Sequence, residues 1–172
     1  MDTNSNSKND TGILLVGHGS RLPYNKEVVQ TIAEKYAQSK PDYNMEVGFM
    51  ELAEPNIPTA FNKLKETGVK KIIVTPVFLA HGLHTKRDIP TILGLEPSED
   101  AKQLEHGHSH GHGHSHGHHH NHNNEEEHGH HHHHHHGEEE IVEFEGEIIY
   151  TEPIGADDAI VDIIAERVNP HL

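Results

Sequence analysis

The stretch Ile13-Leu14-Leu15-Val16-Gly17-His18-Gly19-Ser20 decides the fold class. Its first four residues are apolar without alternation, which is typical of a strand buried on both faces of a parallel sheet. The glycines on either side of His18 predict a tight turn directly after that strand. Residues 45–50, 72–74 and 148–150 are the other strand candidates, and each is also followed by a predicted loop. The chain therefore has four predicted strands.

Segments with helical spacing separate these strands. We expect helices over residues 26–40 and 157–168, and one that begins at an Asn56 N-cap and ends at Gly68. The helix at 157–168 is expected to direct five apolar side chains inward: Ile160, Val161, Ile163, Ile164 and Val168. Alternating strands and helices predict an α/β fold, a small three-layer domain with a four-stranded, mostly parallel sheet flanked by helices.

Composition and charge set the domain organisation. We expect residues 1–10 to be disordered and 11–172 to form a single domain, interrupted by a flexible histidine-rich loop at about 98–140. The formal charge is −15, but residues 96–147 hold 13 acids and one lysine, a net of −12, which leaves −3 for the rest. The folded part therefore has no basic stripe for nucleic acid.

Without a cysteine, any metal site must use nitrogen and oxygen ligands. No apolar signal or membrane-spanning run is present, so a cytoplasmic protein without a membrane partner is expected.

The loops that follow the strands carry the candidate site. Ligands of parallel α/β sheets bind outside the carboxyl ends of the strands. The loops after the four strands should meet there, which would bring His18, Glu51, His81 and His84 to one rim. Imidazole nitrogen is a common ligand for divalent transition metals, and a carboxylate can complete such a site. The sequence therefore predicts a metal site at this rim.

Simpler interpretations of the same residues remain open. His18 is also compatible with an ordinary exposed turn, and only one of His81 and His84 need point inward from the long loop at 77–90. Asp88 is expected to cap a short helix near 91–95. A phosphoryl-transfer enzyme built on the His18 loop is disfavoured, because Gly17 stands where histidine phosphatases carry an arginine.

Eighteen of the 22 histidines lie between His106 and His136. They alternate with glycine, serine, asparagine and glutamate and have too few apolar neighbours to form a core. We interpret the tract as a weak, multi-site metal reservoir that loses metal as pH falls below about 6.5, where imidazole is protonated. A solubilising linker with incidental metal affinity is the alternative. Representative reservoir positions are His106, His108, His110, His112, His114, His116, His131, His133 and His135.

Four motifs together resemble one known family. They are Leu15-Val16-Gly17-His18-Gly19-Ser20-Arg21, Pro76-Val77-Phe78-Leu79, Gly82-Leu83-His84 through Asp88-Ile89-Pro90, and Glu152-Pro153-Ile154-Gly155. They are similar to those of the small-form CbiX sirohydrochlorin chelatases, which insert cobalt, or nickel in the coenzyme F430 route, into sirohydrochlorin. The resemblance extends from Gly12 to Val168 and implies half of a class II chelatase fold. It also implies a homodimer that holds the tetrapyrrole between its subunits.

The resemblance also implies the roles of individual residues. The two functional histidines of the family match His18 and His84, which would bind the metal and accept pyrrole protons. His81 and Glu51 are possible additional ligands. Loop position suggests the following substrate contacts: Gly19, Ser20, Arg21, Phe78, Leu79, Gly82, Leu83, Lys86, Arg87 and Gly155. No permanently bound cofactor is expected, since Co²⁺ or Ni²⁺ would be a substrate. The alternative function is a histidine-rich metal storage protein or metallochaperone without catalysis.

Overall fold

A computed structural model describes residues 10–106 and 140–172, without the side chains of residues 105 and 106. Disorder was predicted for residues 1–10 and for the histidine tract, and these regions lie almost wholly outside the described residues. The strands are β1 (Thr11–Gly17), β2 (Asn44–Phe49), β3 (Lys71–Pro76) and β4 (Glu147–Tyr150). The helices are α1 (Tyr24–Gln38), α2 (Ile57–Glu66), α3 (Ile89–Ile92), α4 (Glu99–His106) and α5 (Asp158–Val168). A π-helical turn, His84–Asp88, precedes α3, and a 3₁₀ turn, Asn169–His171, follows α5.

The four strands form one sheet in the order β2-β1-β3-β4, and all neighbouring pairs are parallel. In the register of β1 and β3, Leu14 lies beside Val74. In the register of β1 and β2, Leu15 lies beside Val47. The predicted α/β class and the four-stranded sheet are confirmed. Because every strand runs the same way, all four carboxyl ends lie at one edge.

The main core lies on one face of the sheet. Leu14, Val16, Ile72 and Val74 are completely or almost completely buried there against α2 and α3. The helix side of this core consists of Ile57, Ala60, Phe61, Leu64, Ile89, Ile92 and Leu93. The Asn56 cap of α2 is as predicted, since its side chain accepts a hydrogen bond from the Thr59 amide at 2.9 Å. Gly68 follows α2 with φ +83°, the conformation that glycine adopts most easily at a helix end.

The opposite face of the sheet is covered more thinly. Its buried cluster consists of Ile13 and Leu15 of the sheet and Ala33 of α1. Val28 and Ile32 of the same helix are exposed.

Helix α5 contradicts the predicted inward packing. In the described part of the chain none of its residues is buried. Val161, Ile163, Ile164 and Val168 are between 46% and 60% exposed. The helix forms where predicted, because Asp157 caps it through a hydrogen bond from the Ala159 amide. Its apolar side lacks a partner among the described residues.

Two segment boundaries also differ from expectation. The loop predicted at 77–90 becomes helical at His84, where the Tyr150 hydroxyl donates a hydrogen bond of 2.7 Å to the Thr85 carbonyl. The flexible insert predicted at about 98–140 begins instead with the helix α4, whose Ala101 is buried. Within residues 10–106 and 140–172, no helix combines the length and apolar character needed to cross a bilayer.

Candidate metal centre

His18, Glu51 and His84 meet at the carboxyl edge of the sheet. His18 follows β1 directly, Glu51 comes two residues after β2, and His84 begins the helical turn that follows β3. One ligand atom from each of the three lies within 4.8 Å of those of the other two. Of the four residues predicted to meet at one rim, the structure brings these three together.

Backbone contacts bring His18 and Glu51 together. The Met50 amide donates to the Gly17 carbonyl at 3.0 Å, and the Glu51 amide donates to the His18 carbonyl at 3.2 Å. Gly19 has φ +86°, and a β-carbon added there would lie 1.7 Å from the Glu51 carbonyl oxygen. The second glycine of the His18 motif is thus required for the two loops to touch.

His18 is held by its own loop and faces Glu51. Its Nδ1 lies 2.9 Å from the Gly19 carbonyl oxygen, and its Nε2 lies 3.8 Å from Glu51 Oε1. A carbonyl oxygen can only accept, so Nδ1 carries the proton in this hydrogen bond and Nε2 of the neutral ring has the lone pair. The Phe78 ring lies 5.9 Å from the imidazole, centroid to centroid, and is tilted by 58°.

His84 approaches the same point from the other side. Its ring centroid lies 4.9 Å from that of His18, with the ring planes 73° apart. Its Nδ1 is 2.7 Å from Asp88 Oδ2, while Asp88 Oδ1 accepts from Arg87 Nε at 2.7 Å. The expected capping role of Asp88 is wrong, because its side chain makes no cap hydrogen bond and is turned toward His84. The four-residue spacing of His84 and Asp88 is the sequence signal that could have found this contact.

His81 lies outside this group in the described part of the chain. Its Nε2 contacts the carboxylate of Glu152, and its Nδ1 is 3.1 Å from Thr85 Oγ1. Both ring nitrogens are therefore engaged by other side chains.

Burial raises the pKa of the Tyr150 phenol, and the charge of Glu152 adds to that increase. The neutral Tyr150 hydroxyl thereby stays available as a donor to the Thr85 carbonyl.

The loops proposed to hold a substrate surround this centre. The Ile154 and Gly155 amides donate to the Phe78 and Leu79 carbonyls at 2.9 and 2.8 Å, which joins the loop after β4 to the loop after β3. The Gly19 amide donates to Asn25 Oδ1 at 2.9 Å. The amides of Gly19 and Gly155, two of the predicted substrate contacts, therefore already donate hydrogen bonds within the protein. Exposed side chains, Arg21, Leu79 and Leu83 among them, are on the same loops.

The centre is open rather than enclosed. The side chains of His18, Glu51 and His84 are 44%, 49% and 36% exposed. Two atoms that each bind one ion at about 2.1 Å cannot be more than about 4.2 Å apart. A separation of up to 4.8 Å means that ion binding draws the side chains slightly inward. Such a site can bind a divalent cation and release it, since solvent and other ligands retain access.

The fold and this centre define an α/β protein with an open group of nitrogen and oxygen donors, able to hold a metal ion, at the carboxyl edge of a parallel sheet. The sequence model of the CbiX family matches residues 12–171. The chain belongs to the CbiX family.

Relatives from methanogens match nearly the whole chain. A protein of Methanothermobacter thermautotrophicus named sirohydrochlorin cobaltochelatase is 51% identical over 98% of this chain and 97% of its own length. One of the same name from Methanocaldococcus jannaschii is 54% identical over 90% of this chain and 95% of its own.

Solved structures show the same fold. The sirohydrochlorin chelatase SirB from Bacillus subtilis subspecies spizizenii, in complex with cobalt, is 25% identical with a TM-score of 0.58 over 94% of this chain. The match covers 51% of SirB, so the chain spans about half the length of that protein. A putative cobalamin biosynthesis CbiX protein from Marinobacter aquaeolei VT8 is 25% identical with a TM-score of 0.54 and is covered over 98% of its length.

Proposed function

We propose that this protein inserts Co²⁺ or Ni²⁺ into sirohydrochlorin, with His18 and His84 binding the ion and accepting the pyrrole protons. The observation that carries the proposal is the meeting of His18, Glu51 and His84 in one exposed group at the rim. The names of the methanogen relatives and of SirB support the substrate.

The geometry fits the steps that insertion requires. The ion must bind first, and the two Nε2 lone pairs with a Glu51 oxygen offer three donors of the kind that Co²⁺ and Ni²⁺ accept. The ion then passes to the macrocycle, which loses two N–H protons as the metal–nitrogen bonds form. An imidazole that has released the metal has a free lone pair and can take such a proton. Partial exposure of the donors allows the ring to approach the ion directly.

The surrounding side chains suit a flat, acidic ring. Phe78 lies beside the His18 imidazole, and Leu79 and Leu83 are exposed on the adjoining loop. Arg21 and Lys86 are the cations on these loops that would pair with substrate carboxylates.

We also propose that two copies assemble into a homodimer with a shared substrate cleft. The bare apolar side of α5 and the exposed Val28 and Ile32 of α1 support this, because burying each large apolar side chain yields about 1.5–3 kcal/mol. SirB, about twice as long as this chain, offers a second argument, since two copies of this chain would match its length.

The catalytic assignment is tested by following the absorbance of sirohydrochlorin after adding Co²⁺ or Ni²⁺. The wild-type protein is expected to accelerate the spectral change, and the double variant His18→Ala/His84→Ala to return it to the uncatalysed rate. His171→Ala, at the opposite end of the chain, is the matched control and should keep full rate. A double variant with the wild-type rate would overturn the assignment.

The alternative of a metal buffer rests on the histidine tract. Described residues on either side of the tract contact the segment 84–92, since the Ser98 amide donates to the Lys86 carbonyl and the Val142 amide to the Ile92 carbonyl. This supports a supply of metal to the rim by the tract. Replacing the histidines of residues 108–136 by asparagine keeps the length and separates the two functions. The chelatase predicts a full rate at saturating metal with fewer ions bound, whereas a buffer would lose all measurable function.

The dimer is tested by charge placement on α5. Ile164→Glu puts a charge on the apolar side and is expected to give monomers in sedimentation equilibrium. Asp162→Lys changes the charge by more but lies on the polar side of the helix, so it should leave the dimer intact. Monomeric wild-type protein at micromolar concentration would contradict the proposal.

A further inference from the structure

The side chain that holds His84 in place is Asp88. Its carboxylate is only 14% exposed and both of its oxygens are engaged. Oδ2 lies 2.7 Å from His84 Nδ1, and Oδ1 accepts from Arg87 Nε at 2.7 Å. The orientation of the carboxylate is therefore set from two directions, and it in turn sets the plane of the imidazole.

The backbone of this turn places the two side chains on the same side. The Ile89 amide donates to the His84 carbonyl, a hydrogen bond five residues back that widens the turn beyond an α-helix. Such π-helical turns occur frequently at functional sites. Here the wide turn brings Asp88 against Nδ1, while the ring centroid of His84 lies 4.9 Å from that of His18.

The chemistry of the contact determines which nitrogen can bind a metal. An ionised carboxylate only accepts hydrogen bonds, so Nδ1 must carry the proton and Nε2 must carry the lone pair. A carboxylate behind a metal-binding imidazole also raises the basicity of the ring toward the metal. His18 has the same arrangement with a neutral acceptor, the Gly19 carbonyl. The two imidazoles of the centre are thus supported unequally.

We propose that Asp88 is a positioning residue that makes His84 the anchoring ligand for the ion, with His18 the more easily released one. The proposal rests on the proposed function only in taking His84 as a metal ligand. It also gives an order of ligand exchange at the centre. The ion stays bound to His84 while its bond to His18 breaks, and a nitrogen of the macrocycle replaces His18.

The test measures binding of Co²⁺ alone, without sirohydrochlorin. It uses the full-length chain with the histidines of 108–136 replaced by asparagine, so that the rim dominates the signal. Asp88→Asn keeps the shape but can present an amide N–H to Nδ1, which selects the wrong tautomer. Loss of such an outer carboxylate typically lowers metal affinity about 10–100-fold, and we expect a loss in this range together with a changed Co²⁺ visible spectrum. Asp10→Asn, a carboxylate at the other end of the sheet beside Lys70, is the control for a general charge effect.

A double-mutant cycle with His84→Ala separates positioning from a structural role. If Asp88 acts through His84, adding Asp88→Asn to His84→Ala causes no further loss of Co²⁺ affinity. The melting temperature of metal-free Asp88→Asn should also stay close enough to that of the wild type that lost stability does not explain its lower affinity. Three outcomes would overturn the proposal: wild-type affinity in Asp88→Asn, an equal loss in Asp10→Asn, or additive losses in the cycle. If the cycle behaves as expected but wild-type protein inserts no metal, the role of Asp88 stands and the proposed function fails.

Discussion

Two sets of histidines in this chain have the same side chain and different surroundings. His18 and His84 are each held at Nδ1 by an oxygen, on loops that hydrogen bonds connect to neighbouring strands or loops. The eighteen histidines between 106 and 136 stand in a sequence of glycine, serine, asparagine and glutamate that offers no apolar core. The first set consists of two residues from distant parts of the chain, and the second lies within the single stretch 106–136.

The comparison teaches that the position of an imidazole, rather than the number of imidazoles, decides whether donors meet at one point. An imidazole held with its lone pair toward a defined point can receive an ion and give it to a substrate that binds at the same point. A dense run can only raise the local amount of bound metal. Substitutions at the rim should therefore change the rate of metal insertion, and substitutions in the tract should change the amount of metal that is bound.

Among residues that are not proposed ligands, the largest effect should come from Gly19 at the rim. Gly19→Ala puts a β-carbon against the Glu51 carbonyl oxygen and separates the two loops. We expect insertion to fall by more than about 100-fold, as misplacement by about 1 Å can do. Circular dichroism with an absorbance assay for metal insertion checks this.

Gly68→Ala is the matched control for Gly19→Ala. Gly68 has nearly the same φ, +83° against +86°, but an added β-carbon there meets nothing within 4 Å. It should cost about 1–2 kcal/mol of folding free energy from backbone strain and leave the insertion rate unchanged. Equal activity loss in both variants would show that strain, and not loop separation, is responsible.

A smaller effect is expected at the carboxylate of the rim. Glu51→Gln removes the negative charge from one donor while keeping its size, and we expect Co²⁺ affinity to fall about tenfold or more, since even outer carboxylates contribute that much. Glu54→Gln is the control in the same loop, because its carboxylate already accepts from the Asn56 amide at 3.1 Å. Titration with Co²⁺ in the asparagine-substituted tract background measures both. Similar affinities for the two variants would remove Glu51 from the ligand set.

The smallest effect concerns how the His84 turn is held. Tyr150→Phe removes the hydrogen bond to the Thr85 carbonyl and should lower the free energy of unfolding by about 1 kcal/mol at pH 7. Burial raises the pKa of Tyr150, so the unfolded phenol ionises at about pH 10 while the folded one remains protonated. The contribution of Tyr150 is therefore complete below pH 10 and is lost as pH rises above it.

Denaturant unfolding at several pH values tests this sign. The wild-type protein should lose stability above pH 10 more steeply than Tyr150→Phe. Tyr24→Phe, at a 67% exposed position, serves as the control and should follow the wild type. Parallel curves for Tyr150→Phe and wild type would contradict the expected difference.

Most of the fold could be predicted from local patterns. The uninterrupted apolar runs at 13–16 and 72–74 specify buried parallel strands, and Asn56 and Gly68 mark the ends of α2. The order of loops along the chain then predicts the convergence of His18, Glu51 and His84, because parallel strands end at the same edge.

Other features escaped sequence reasoning for a physical reason. The spacing of apolar residues in α5 shows which side seeks a partner but not whether that partner lies in the same chain, and here the side is bare. Asp88 before Ile89-Pro90 fits the pattern of a helix cap, yet the helix begins earlier and turns the carboxylate toward His84. His81 fits the pattern of a ligand, but Glu152, 71 residues away, engages it.

The cytoplasmic localisation stays a prediction from the sequence, and Co²⁺ or Ni²⁺ as the metal substrate stays a prediction from the family. The same nitrogen and oxygen donors accept both ions.

By itself, the sequence determined the elements and the edge at which they end, because burial on both faces and the turn glycines are local properties of each segment. Only the tertiary structure decided which imidazoles lie together, which ring nitrogen each uses for its hydrogen bond, and which carboxylate stands behind His84. Those outcomes depend on distances of a few ångströms between residues far apart in the chain, and only the packed sheet and its backbone hydrogen bonds set such distances.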